Sequence, residues 1–155
     1  MSLADFLLIA HILGAFLMVA GAAITTSAAL MAGRAKTPAE VVTWLDLQRV
    51  SETFINTPGA VIALLFGSWL VSEAGFEFSE PWLSAAYTLW LVAMALDHGV
   101  FLPFVRKTRA KAAAATATVV ALQADLASPR ARIVGLALDA ALLVFLVLMV
   151  TRPGS

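Results

Sequence analysis

The sequence predicts an all-α protein that crosses a membrane as a four-helix bundle, with both termini on the non-cytoplasmic side. Of its 155 residues, 61% are hydrophobic and only 13% are charged. Soluble domains usually contain about 45–50% apolar and about 25% charged residues. A chain this apolar cannot cover its surface with polar groups in water. The composition therefore excludes a soluble domain and a nucleic-acid binder with a basic face.

Four apolar segments support this fold class, because each can supply the about 20 helical residues that a bilayer requires. The spans cover residues 5–33, 52–72, 81–105 and 132–151. Ser2 and Asp5 predict a capped start for the first span, in the pattern of a capping box. We expect all four spans to form one integral membrane domain over residues 1–155.

Basic residues are concentrated in two alternate connections between the spans. Residues 34–51 hold three of the ten lysines and arginines, and residues 106–132 hold six. The positive-inside rule places such connections in the cytoplasm. We therefore expect residues 34–51 and 106–131 to be cytoplasmic, and the protein to be integral to the cytoplasmic (inner) membrane of a bacterium.

Both cytoplasmic connections carry helix signals. Thr37 is a capping residue ahead of residues 37–51, which have the pattern of a short amphipathic helix at the membrane interface. Alanine favours helix, so the alanine-rich residues 107–127 should extend the third helix beyond the membrane surface. The pair Ser128-Pro129 then begins the fourth span, since proline is tolerated in a first helical turn.

Polar residues within the spans are expected to lie at one depth. At about 1.5 Å per residue, Asp97 and His98 lie about 12–14 Å from the cytoplasmic end of their helix, and Asp139 lies about 10 Å from the same side. Thr26 and Asn56 fall in the same half of the bilayer. Because polar groups in a membrane are costly and usually face the bundle interior, these five residues predict one polar layer.

The polar layer has two interpretations. Carboxylates and an imidazole could hold a divalent metal ion or relay a proton, which makes Asp97, His98 and Asp139 candidate metal ligands. Alternatively, the two aspartates pair with arginines near the helix ends and only hold the bundle together.

His11 lies apart from this layer, about 9 Å from the outer face. Small residues share its side of the helix, which is typical of a face turned toward other helices. Imidazole is a common haem and metal ligand, so His11 is a candidate cofactor ligand. The alternative is a buried histidine bonded to a backbone carbonyl. Because the depths of His11 and His98 differ by about 15 Å, we do not expect them to bind one haem together.

Several short motifs carry a family resemblance. They are His11-Ile-Leu-Gly14, Asn56-Thr-Pro-Gly59, Leu102-Pro-Phe-Val-Arg106 and Leu148-Met-Val-Thr-Arg-Pro153. With them the chain resembles small bacterial predicted integral membrane proteins grouped as domain of unknown function 2269. The resemblance implies four membrane helices, with a histidine early in the first. This family is distantly similar to copper-resistance D-type proteins and membrane protoporphyrinogen oxidases, which implies a ligand role for His11. The pair Asp97-His98 departs from the family pattern.

Together these features predict a small membrane protein with a polar intramembrane site that binds haem b or a divalent metal, or conducts protons. The alternative is a non-enzymatic subunit or scaffold whose polar layer only fixes helix packing. The sequence has no phosphate loop, nucleophile elbow or HExxH pair, so we do not expect an enzyme. The expected partner is the lipid bilayer, and we expect no nucleic-acid partner. Both a homo-oligomer and a larger membrane complex are compatible with the sequence.

Overall fold

The computed structural model describes residues 1–114 and 116–153, so residue 115 of the alanine-rich segment lies outside the described residues. Four helices are long and apolar enough to cross a membrane, which confirms the predicted fold class. They cover Leu3–Ala32, Pro38–Glu73, Pro81–Ala112 and Pro129–Thr151. On which side of the membrane the termini lie stays a prediction.

One turn of π-helix interrupts each of the two middle helices. Glu52–Asn56 connects two α-helical parts of the second long helix, and Asp97–Phe101 connects two parts of the third. The α-helical elements are α1 (Leu3–Ala32), α2 (Pro38–Ser51), α3 (Thr57–Glu73), α4 (Pro81–Leu96), α5 (Leu102–Ala112), α6 (Val119–Leu126) and α7 (Pro129–Thr151).

Three helices begin at the capping residues that the sequence indicates. Ser2 and Asp5 form a capping box at the start of α1. Thr37 accepts a hydrogen bond of 3.2 Å from the first turn of α2, and Ser128 accepts one of 3.4 Å from the first turn of α7. Each cap satisfies a backbone N–H that the helix leaves without a partner. These short motifs therefore determine where the helices start.

The helix predicted over residues 37–51 is present with its Thr37 cap, but the prediction that it is a separate short helix is wrong. α2 runs on through the π turn into α3, so it is the first part of the second long helix. Val41 and Leu45 of α2 are fully buried against other helices. The apolar stripe of this segment packs against protein, because α1 and α5 also extend to this end of the bundle.

The alanine-rich segment 107–127 also differs from the expected single helix. α5 ends at Ala112, and α6 begins only at Val119. Thr118 has an extended backbone conformation at this start. Threonine is β-branched and a weaker helix former than alanine, which is consistent with a break where threonines interrupt the alanines.

The long helices meet in an apolar cluster at one end of the bundle, which we call the basic end because Arg34, Arg109 and Arg132 lie there. The 30 residues of α1 correspond to about 45 Å, more than the about 30 Å of a hydrocarbon core. The bidentate pair between Arg109 and Asp46, with its closest contact at 2.9 Å, ties α5 to α2 beside this cluster. The cluster consists of Ala32, Ala35, Val41, Leu45, Val105, Ala112 and Leu122.

Within the spans, α1 and α3 are in backbone contact. A Cβ atom at Gly14 would lie 2.5 Å from the backbone nitrogen of Ala63, and one at Gly59 would lie 2.7 Å from the Cβ of Leu17. Small residues permit this approach, which is how helices associate in lipid without a hydrophobic driving force. The contact determines which polar groups of the two helices meet.

Candidate intramembrane site

An acidic residue begins the π turn of each interrupted helix. Glu52 precedes Pro58 and Asp97 precedes Pro103 by the same number of residues. Proline has no backbone N–H, so a carbonyl in the preceding turn loses its usual partner. A π turn accommodates such a break in the hydrogen-bond ladder. π turns of this kind are frequent at functional sites.

Glu52 is held between α1 and the second long helix. Only 2% of its surface is exposed. The hydroxyl of Thr25 donates to its Oε2 at 3.0 Å, and the side-chain amide of Asn56 donates to its Oε1. Ser51 donates to the backbone carbonyl of Gly21 at 3.0 Å, which ties the two helices together at this level. The close helix packing therefore places two hydrogen-bond donors, Thr25 and Asn56, next to the buried carboxyl group of Glu52.

Asp97 brings a second carboxyl group to the same point. It is 5% exposed, and its carboxyl group lies close to that of Glu52, with both residues lining the same cavity. Its Oδ2 also lies 3.1 Å from Nδ1 of His98, whose side chain is 40% exposed. Nε2 of His98 lies 3.4 Å from the hydroxyl of Thr57. A continuous series of polar contacts therefore leads from Glu52 through Asp97 to a half-exposed imidazole.

Charge balance constrains the two carboxyl groups. Two carboxylates in contact in a region of low dielectric constant repel each other strongly, so they do not both stay ionised. Among the ion pairs of the described residues, only that between Asp97 and His98 reaches the site, so no lysine or arginine of this part of the chain neutralises Glu52. A proton shared between the two groups removes the repulsion.

The carboxyl pair borders a half-open cavity of about 690 Å³ between the helices, which we call the internal cavity. This volume falls within the about 300–1,000 Å³ of small-molecule sites. Asp139 of α7 also contributes to the wall and accepts a hydrogen bond of 3.2 Å from the hydroxyl of Thr26. Most of the remaining lining is apolar, and it includes Met18, Ala22, Trp90, Met94, Phe101, Leu142 and Phe145.

Four residues of the predicted polar layer line this one cavity, namely Thr26, Asn56, Asp97 and Asp139. His98 does not line it, because its ring turns toward Thr57 on the other side of Asp97. Adjacent residues of a helix point about 100° apart, so Asp97 and His98 do not both face the cavity. Whether these residues bind anything stays a prediction.

The three candidate metal ligands are not brought together. Asp139 accepts a hydrogen bond from Thr26 of α1, whereas Asp97 lies close to His98 and Glu52. Over residues 1–114 and 116–153, no three His, Asp or Glu side chains are grouped in a way that could hold a metal ion. The geometry therefore gives no support to the hypothesis of a divalent-metal site.

His11 has the environment of a packed histidine. Its Nδ1 lies 2.8 Å from the backbone carbonyl of Ala63, and because a carbonyl only accepts, this nitrogen carries the proton. A Cβ atom at Gly67 would lie 2.7 Å from the same ring nitrogen, so the ring fills the space over that glycine. Haem ligation by the remaining nitrogen, Nε2, stays a prediction.

Sequence reasoning missed Glu52 and Gln48. Gln48 is 2% exposed and donates to the backbone carbonyl of Thr25 at 3.2 Å. Glu52 begins the predicted second span and Gln48 lies in the predicted interfacial helix before it, and a polar residue at either position needs no partner. The signal that could have found Glu52 is the equal spacing of an acidic residue ahead of Pro58 and Pro103.

A family model described as "Predicted integral membrane protein (DUF2269)" matches residues 5–153. The chain belongs to this family. In this DUF2269 member, the matched residues include most of the four long helices and the whole carboxyl pair. No match was found among curated proteins or among solved structures, so the distant link to copper or haem proteins finds no support in these comparisons.

Proposed function

We propose that the protein holds an exchangeable proton inside the cytoplasmic membrane and passes it between the internal cavity and His98. The observation that carries this proposal is the contact between the buried carboxyl groups of Glu52 and Asp97. The imidazole at 3.1 Å from Asp97 extends the contact to the half-exposed side of the helix. Ionisable residues in a membrane interior often belong to such proton relays.

Each step of the relay moves one proton and no electrons. His98 takes up a proton at Nε2 and gives the proton on Nδ1 to Asp97. Asp97 passes its proton to Glu52, which releases it into the cavity. Thr25 and Asn56 stabilise the resulting carboxylate of Glu52, because both donate hydrogen bonds to it.

The other candidate functions have less support from the geometry. A haem in the cavity would have no histidine ligand, because neither His11 nor His98 is among the residues that line the cavity. The scaffold hypothesis explains the packing of α1 against α3. It does not explain why two acidic residues with equal spacing to a proline should be placed in contact.

The experiment that tests the proposal is infrared spectroscopy of the purified protein. We expect a carbonyl stretching band of a protonated carboxylic acid that shifts on exchange into D₂O. Glu52→Gln and Asp97→Asn should each remove this band. In Glu52→Gln, His98 can balance the charge of Asp97 alone, and in Asp97→Asn, Glu52 retains two hydrogen-bond donors and loses its like charge.

Glu73→Gln provides the matched control, because Glu73 is an exposed carboxyl group at the end of α3. This variant should keep the band unchanged. If the wild type lacks the band, or if it survives in both site variants, the shared proton does not exist and the scaffold hypothesis is favoured.

We also propose that the basic end is cytoplasmic and that both termini lie outside. The support is the concentration of lysine and arginine in residues 34–51 and 106–131. Protease added to intact spheroplasts should therefore leave residues 107–127 uncut, and should cut them only after the membrane is broken. Cleavage in intact spheroplasts would reverse the orientation.

A further inference from the structure

The internal cavity has the length of one bilayer leaflet. Along α1 and the turn after it the lining runs from Met18 to Arg34, and along α7 from Ala131 to Phe145. At about 1.5 Å per residue these stretches correspond to about 21–24 Å. Half of a bilayer, including the head groups, measures about 20–22 Å. A lipid standing in its own leaflet therefore matches the cavity in length.

The charges at the basic end of the cavity complement an anionic head group. Arg34, in the turn after α1, and Arg132 of α7 both contribute to its wall. Neither guanidinium is part of an ion pair among the described residues. Guanidinium groups bind phosphate through two parallel hydrogen bonds. Two arginines from different helices would hold one phosphate between them.

The opposite part of the cavity suits a hydrocarbon chain. Met18, Leu142 and Phe145 are apolar, and they line the part farthest from the arginines. Gly135 also lines the cavity, and a Cβ atom added there would meet no atom within 4 Å. α7 itself has one buried residue, Ala141. This wall of the cavity is therefore loosely packed against the other helices.

We propose that the cavity is a binding site for one anionic phospholipid, with its phosphate on Arg34 and Arg132 and one acyl chain along α1 and α7. The inference deepens the proposed function by naming the ligand of the same cavity. The acyl chain would lie against the carboxyl pair of Glu52 and Asp97 and shield it from water. Bound lipid would in this way control when the shared proton exchanges.

The test is thermal unfolding of the delipidated, detergent-solubilised protein with added lipid. Phosphatidylglycerol should raise the unfolding midpoint by about 5–10 °C, as expected for a ligand that binds only the folded state. Phosphatidylcholine with the same acyl chains should give a much smaller rise. An equal rise with both lipids, or no rise with either, would overturn the proposal.

Two sets of variants locate the site. Arg34→Gln combined with Arg132→Gln should abolish the rise with phosphatidylglycerol. Arg106→Gln combined with Arg130→Gln removes the same charge from arginines outside the cavity lining and should preserve the rise. If both double variants lose the rise with phosphatidylglycerol, the lipid is attracted to the basic end in general. If both retain the rise, the lipid binds elsewhere. Either result would contradict the assignment.

A third variant keeps the arginines and fills the part of the cavity proposed for the acyl chain. Gly135→Leu projects into open space, so it should fold and lose the phosphatidylglycerol effect. If Gly135→Leu retains the full rise in unfolding midpoint, the acyl chain does not occupy the cavity and the proposal fails. A larger rise with palmitate than with phosphatidylglycerol would assign the cavity to fatty acids and overturn the phospholipid assignment. The infrared band of the carboxyl pair reports separately on the proton, so the two proposals can fail independently.

Discussion

Gly14→Ala should lower the free energy of unfolding by about 1–3 kcal/mol, the usual cost of inserting a methyl group into a well-packed interior. The new Cβ would lie 2.5 Å from the backbone nitrogen of Ala63 and 2.9 Å from the backbone carbonyl oxygen of Gly59. Backbone atoms cannot rotate away as a flexible side chain could, so α1 must move away from α3. Unfolding in mixed micelles with increasing denaturing detergent, followed by circular dichroism, measures the loss.

Gly135→Ala is the matched control for this prediction. A Cβ atom at Gly135 meets nothing within 4 Å, so the substitution adds the same methyl group without a clash. We expect its free energy of unfolding to equal that of the wild type or to exceed it slightly, since alanine is the better helix former. Equal losses in the two variants would mean that helix propensity, and not the contact between α1 and α3, determines the result.

Asp97→Asn should reduce proton movement across reconstituted liposomes to the rate of protein-free liposomes. In the proposed relay Asp97 is the only carboxyl group that contacts both His98 and Glu52, and an amide cannot take up and release the proton. The measurement is the change of internal pH, read from a trapped dye, after a potassium diffusion potential is imposed. The wild-type protein should acidify the interior faster than empty liposomes do.

The control for proton movement is again Glu73→Gln, which removes a carboxyl group outside the relay and should leave the wild-type rate unchanged. If Asp97→Asn moves protons as fast as the wild type, the proton path does not include Asp97. A wild-type rate no higher than that of empty liposomes would restrict the carboxyl pair to local proton exchange with a ligand.

The grouping of four polar residues around one cavity could be predicted because helix geometry is regular. Counting from the basic residues at the span ends placed Thr26, Asn56, Asp97 and Asp139 at one level, and all four line one cavity. A membrane leaves few alternatives for such residues, since polar groups exposed to lipid are costly. Rise per residue and polarity therefore indicate which residues share the cavity, whereas their common depth stays a prediction.

The direction of each side chain was harder to predict. His98 follows Asp97 directly, yet it faces away from the cavity, because neighbours on a helix diverge by about 100°. Glu52 was assigned to the edge of the second span, since hydropathy locates a boundary where the first charge occurs. α2 continues the helix well beyond that boundary, so Glu52 lies inside the bundle. A count of hydrophobic residues in one segment contains no information about the length of the neighbouring helices.

The apolar cluster at the basic end has a consequence for how the protein responds to its membrane. Val41, Leu45, Val105 and Leu122 are buried against one another where the helices extend beyond the length of a hydrocarbon core. Where an end of the bundle projects into water, the hydrophobic effect, which does not operate between helices within lipid, holds such buried residues together. The second and third long helices therefore cannot slide past each other when bilayer thickness changes. A thinner or thicker membrane will tilt the whole bundle, and Glu52 will stay level with Asp97.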